Sequence, residues 1–102
     1  MRRDGHTISG PHGEIRIEGD ALSGLVITAA ERVEGARVRR PRRGLDVSVT
    51  DGTAKVELEL AARYGVVLPT VAREVQSSVA AALLSSAGLP AAIDVSIEEL
   101  EL

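Results

Sequence analysis

Between Thr53 and Gly88 the chain runs TAKVELELAARYG and then, without a spacer, VVLPTVAREVQSSVAAALLSSAG. The first half alternates, with Val56, Leu58, Leu60 and Tyr64 on one face and Lys55, Glu57 and Glu59 on the other, which is the period of a half-buried strand. In the second half Leu68, Ala72, Val75, Val79, Ala82 and Leu83 recur at helical spacing over four turns. Pro69 suits the first turn of that helix, and Gly88-Leu89-Pro90 closes it. A long strand with one apolar face feeding a long helix with one apolar stripe needs partners for both. The remaining segments must supply more strands and a second helix.

They do so in order. Residues 1–12 are polar, contain Gly5, Gly10 and Pro11, and read as a flexible leader ahead of a single domain over 13–102. Glu14–Glu18 alternates as a short strand, with Ile15 and Ile17 on one face. Behind Asp20 as N-cap, Leu22, Leu25, Val26, Ala29, Ala30 and Val33 form a helical stripe, and Gly35 offers a left-handed stop. Ala36–Arg40 is a short strand with Val38 inward, followed by a loop at Pro41 and Gly44. Leu45, Val47 and Val49 alternate up to Asp51-Gly52, a strong hairpin signal leading into strand 54–63. In the last strand, Ala92–Glu99, Ile93, Val95 and Ile97 point inward; Glu98-Glu99-Leu100-Glu101-Leu102 breaks that parity and predicts a bulge or fraying. The order is β-α-β-β-β-α-β. The economical packing is an α+β two-layer sandwich, a mostly antiparallel sheet with two helices on one face. The other face then shows Arg16, Asp46, Ser48, Lys55, Glu57, Glu59, Arg63, Asp94 and Ser96.

Chemistry is sparse. With 102 residues there is room for one core, and Tyr64 as the lone aromatic residue leaves that core to Val, Ile, Leu and Ala. The absence of cysteine removes disulfides, thiolate metal sites and a cysteine nucleophile. A net charge of -3 gives no global field for nucleic acid, and no apolar run approaches the ~20 residues of a membrane span, so no direct membrane insertion is expected. The two N-terminal arginines precede no apolar stretch, so they do not begin a signal peptide. The arginines Arg37, Arg39, Arg40, Arg42 and Arg43 form the one concentrated charge. They could clamp phosphates of nucleic acid or anionic lipid, or simply balance nearby carboxylates; no aromatic residue is interleaved for base stacking, which weighs against nucleic acid. His6 and His12 lack a third ligand at metal spacing. Glu57 and Glu59 share the polar sheet face with nothing to desolvate either one, and Ser77, Ser78, Ser85 and Ser86 have no histidine in an ordered element. Gly10-Pro11-His12-Gly13 spells a GXXG but stands before a strand, not between helices. Gly65 suits an unusual φ at the strand end, Tyr64 a ring over the core edge, and Gln76 either a hydrogen bond from mid-helix to a strand end or loop, or a place facing solvent. An enzyme is not expected, nor a cofactor.

The strand ending Arg63-Tyr64-Gly65, then Pro69, Val71, Val75-Gln76 and Val79, then Gly88 and Ile93-Asp94-Val95-Ser96-Ile97, resembles the alkaline shock protein 23 family. Gly13-Glu14-Ile15, Val33-Glu34-Gly35 and Asp51-Gly52 agree with it, so the likeness spans residues 13–100. Its signature (Tyr64, Gly65 and Gln76 at the centre) is structural and transfers no catalytic residue. The resemblance implies a bacterial, cytoplasmic, non-enzymatic protein of the envelope stress response. Such a protein self-associates as a homo-oligomer and gathers at the inner face of the membrane, in some members through a small integral-membrane anchor protein. The alternative from the residues alone is a nucleic-acid or anionic-lipid binding module using the arginine loop 37–43.

Overall fold

The computed structural model describes residues 4–39 and 44–102. Its elements are β1 (His6–Gly10), β2 (Gly13–Ile17), α1 (Gly19–Glu31), β3 (Ala36–Val38), β4 (Leu45–Thr50), β5 (Thr53–Arg63), α2 (Leu68–Ala87) and β6 (Ala91–Glu101). The fold is α+β, in the strand and helix order read from the sequence, with one strand added at the front.

β5 is the hub. Along one edge it pairs antiparallel with β4, from Thr50↔Thr53 to Leu45↔Leu58, and further on with β3, from Val38↔Leu60 to Ala36↔Ala62. Along the other edge it pairs with β6 in parallel, from Ala54↔Ala91 to Arg63↔Glu101. A parallel pair needs a crossover, and α2 is that crossover. The β4–β5 turn has Asp51 at φ 52 and Gly52 at φ 74, two consecutive left-handed residues that define a type I′ hairpin.

β3 and β4 are two halves of one interrupted edge. Arg39 donates its N–H to the carbonyl of Glu59 (3.0 Å), and Glu59 donates its own N–H to the carbonyl of Gly44 (2.8 Å). One residue of β5 therefore holds both ends of the excursion, while residues 40–43 lie outside the described residues.

The helices cover one face of this sheet. Val56, Leu58 and Leu60 of β5, Leu45 and Val47 of β4, Leu22, Val26 and Ala30 of α1, and Val75, Val79 and Leu83 of α2 are all buried in one cluster. The observed stripe of α2 is Val71, Val75, Val79, Leu83 and Ala87, strictly four apart and rotated slightly from the expected one. Gly88 ends α2 at φ 68, its N–H and that of Leu89 returning to carbonyls of the last turn. α1 begins earlier than expected, with Glu18 rather than Asp20 at the cap, and ends at Glu31; Gly35 is left-handed (φ 86) in the turn beyond it. Ser78 Oγ donates to the carbonyl of Ala29 (2.7 Å), tying the two helices together.

Residues 6–10, read from the sequence as part of a leader, form a strand. β1 pairs antiparallel with β2 around Pro11-His12, and this ribbon is a separate two-stranded sheet. Arg16, expected on the open face of the main sheet, therefore lies on the ribbon. Ile17 packs against the core, Ile15 is half-exposed, and Asp4 fastens the ribbon's base to β4: its N–H reaches the carbonyl of Val47, and its carboxylate accepts from Val49 N–H.

Ser23 on α1 is the one polar residue in the described core, and its hydroxyl has no hydrogen-bond partner. An unsatisfied buried hydroxyl costs about 1–3 kcal/mol. Ser23→Ala is accordingly expected to stabilise the domain by roughly 1 kcal/mol in urea unfolding, with an unchanged slope.

Candidate functional site

The face of the sheet away from the helices is lined with charged residues. Alternation along β5 aims Lys55, Glu57 and Glu59 outward; β4 contributes Asp46, and β6 contributes Asp94 and Ser96. The bulge foreseen in the last strand is present. Leu60 faces Ile97 but Ala61 faces Glu99, so Glu98 is the inserted residue. The insertion puts Glu99 and Glu101 on the open face and keeps Leu100 on the helix side.

Two of the five arginines singled out in the sequence lie here, and both are engaged. Arg37 sits opposite Ala61, whose small side chain lets the guanidinium cross β5 to Glu101, with Nε 3.1 and 3.2 Å from the two carboxylate oxygens. Arg39 reaches Glu59 (3.1 Å) and Glu99 (3.7 Å). The result is an ionic strap from β3 to β6 that buries Ala61 beneath it. Arg40, Arg42 and Arg43 lie outside the described residues. Among the described positions, then, the cluster balances neighbouring carboxylates rather than presenting open guanidiniums.

The hydrogen bond from Arg37, with its charge, holds the Glu101 carboxyl below its ordinary range, although partial burial pushes the other way; the same pair raises Arg37. A depressed carboxylate contributes stability above its unfolded pKa and loses it as pH falls through the lower folded value. Arg37→Gln is expected to move the Glu101 titration, followed by carboxyl-carbon NMR, upward to the ordinary position. An unmoved midpoint would show that the strap is not the cause.

Beside the strap lies a shallow depression of about 630 Å³, lined among others by Asp46, Glu57, Glu59, Asp94 and Glu98. Lys55 stands 3.9 Å from Glu57, and Ser96 donates its hydroxyl to Glu98. Among the described residues no three His, Cys, Asp or Glu side chains are grouped so as to hold a metal ion.

The structural signature residues are dispersed. Gln76 Nε2 donates to the carbonyl of Ile93 on β6 (3.0 Å), so the mid-helix glutamine is a helix-to-sheet tie. Gly65 has φ 97, a conformation that favours glycine. Tyr64, expected over the core edge, is 66% exposed: it lies past the last helix-covered position of β5, where its N–H still bonds the carbonyl of Glu101 (2.7 Å). Sequence reasoning missed the strap, since pairing Arg37 with Glu101 requires the parallel β5–β6 register and the bulge together.

These features define a small two-layer α+β domain with a charged, ion-paired sheet face. The chain belongs to the alkaline shock protein 23 family, a family described by a cell envelope-related function, which matches residues 36–102, about two thirds of its length. No curated protein matches the chain. Among solved structures it is similar to the MamM CTD. A double-substituted variant is 22% identical and covers 81% of this chain and 95% of its own, at a TM-score of 0.57. A cadmium form (24% identity, 80% and 96% covered, TM-score 0.57) and a nickel form (23%, 80% and 99%, 0.56) agree. At this identity the likeness establishes the fold.

Proposed function

We propose that the chain is a non-enzymatic envelope stress response protein that self-associates and docks near the cytoplasmic membrane through a partner protein. The observation that carries this reading is the family match, whose description places its members in cell envelope-related function. Among the described residues no helix is long and apolar enough to cross a membrane, so a location at the membrane calls for a partner or a surface contact. The strapped, charged sheet face suits a contact surface better than a reaction centre: the strap's carboxylates, Glu59, Glu99 and Glu101, are exposed and ion-paired, whereas acid–base chemistry needs a desolvated group in a cleft. Sedimentation velocity on the purified chain, paired with the distribution of a labelled copy in cells, tests it. Concentration-dependent association and enrichment at the cell periphery are expected. A strict monomer with uniform distribution would overturn the proposal.

A further inference from the structure

β6 is a long strand with only one partner, β5, among the described residues. Which of its backbone groups face outward follows from two hydrogen bonds. Ala54 donates to the carbonyl of Pro90 (2.9 Å), and in a parallel ladder the N–H and C=O of one residue point the same way and alternate along the strand. The even-numbered residues of β6 before the bulge thus address β5, and Ile93, Val95 and Ile97 address the open edge. After the bulge the parity reverses, as the bond from Tyr64 N–H to the carbonyl of Glu101 requires.

Gln76 occupies the outward carbonyl of Ile93. The outward groups of Val95 and Ile97 have no strand opposite them among the described residues. Such an edge is a template for an added strand. On its helix side runs the row Ala72, Gln76, Ala80 and Leu84 of α2, with Leu84 59% exposed and Val95 and Ile97 only half-buried. On its open side the strand carries Asp94, Glu98, Glu99 and Glu101 and no cation. Among the described residues Glu99 and Glu101 are taken by Arg39 and Arg37, Glu98 has only the Ser96 hydroxyl, and Asp94 has no hydrogen-bonding or ionic partner.

That charge selects the occupant. Two β6 edges brought together would set Asp94 and Glu98 of one copy against those of the other, and like charges directly opposite are destabilising. The bulge at Glu98 also limits regular pairing to the stretch before it. We propose that the free edge of β6 over residues 91–97 receives an extended segment of a partner protein as an added strand. Its apolar side chains lie toward Leu84 and Ala80, and its lysines or arginines toward Asp94 and Glu98. This inference rests on the docking reading above and supplies its chemistry.

The test is a titration of the isotope-labelled full chain with a short peptide of alternating lysine and valine, against one of alternating glutamate and valine. Amide shifts centred on Val95 and Ile97 are expected, with the lysine peptide binding roughly tenfold tighter or more and losing affinity with salt. Val95→Pro removes an outward donor without touching the β5 ladder and should abolish binding. Asp94→Lys leaves the backbone intact and should reverse the peptide preference, which keeps the test decisive if the proline variant does not fold. No saturable binding, equal affinity for the two peptides, insensitivity to both variants, or a footprint elsewhere would overturn the proposal. So would a dimer of the chain alone that Val95→Pro dissolves, since the occupant would then be a second copy. Membrane association can fail while peptide binding persists, and the reverse, so the two readings fail separately.

Discussion

Gly44→Ala is expected to cost about 2–4 kcal/mol and to lower the melting temperature by roughly 10 °C or more. A Cβ at this position would collide with the carbonyl oxygen of Arg39 and stand 2.9 Å from its carbon and 3.1 Å from the carbonyl oxygen of Glu59. All three are backbone atoms, so no side-chain rotation relieves the clash. The edge strand itself must move, and the bonds it makes to both sides of Glu59 go with it. Each such bond contributes about 1 kcal/mol, with a further penalty where a buried group is left unpaired. Calorimetric unfolding checks the size of the effect. Amide exchange checks its place, since protection at Glu59 should fall while that of β6 remains. A variant as stable as the parent would mean that Arg39 and Gly44 do not meet at Glu59.

Leu60→Ala is expected to cost about 2–5 kcal/mol, against a total of about 5–15 kcal/mol for a domain of this kind. Leu60 is fully buried, with Val38 opposite on β3 and Ile97 opposite on β6. The neighbours that would have to close the cavity are β-branched and stiff at χ1, and the core cluster contains no aromatic ring to shift into it. Urea unfolding should show the midpoint falling at constant slope, with Leu60→Met, which conserves volume, losing less than about 1.5 kcal/mol. Equal losses from the two substitutions would argue that the site is loosely packed.

The parts of this molecule readable from sequence are those where one residue type forces one geometry. Asp51-Gly52 gave the hairpin because two left-handed residues in succession have few other uses. Gly88 marked the end of α2 for the same reason, and the broken parity after Ile97 marked the bulge at Glu98. β1 was illegible because Ile8 is its single large apolar residue and Gly10-Pro11 looks like a break. The paired pattern of His6 and Ile8 against Ile15 and Ile17, around a two-residue turn, was the available signal. On the open face Asp46, Lys55, Glu57, Glu59, Asp94 and Ser96 were legible, but Arg16 lies on the ribbon instead, and neither the presence of Arg37, Arg39, Glu99 and Glu101 there nor their pairing was. Arg37 meets Glu101 only because β6 runs parallel, is displaced by one residue at Glu98, and has Ala61 between them. Tyr64 falls one residue past the end of β5, beyond the reach of the helices, and a sequence carries no ruler for where a covering layer stops.

The docking proposed above has the chain reach the membrane through a protein and not through lipid. Flotation of the purified chain with native membrane vesicles, beside protein-free vesicles of the same extracted lipids, tests this directly. The chain should float with the native vesicles, lose that association when they are treated with protease beforehand, and stay behind with the lipid-only vesicles. Flotation with both to the same extent would contradict the claim in favour of anionic-lipid binding through the arginine loop, and flotation with neither would contradict it outright.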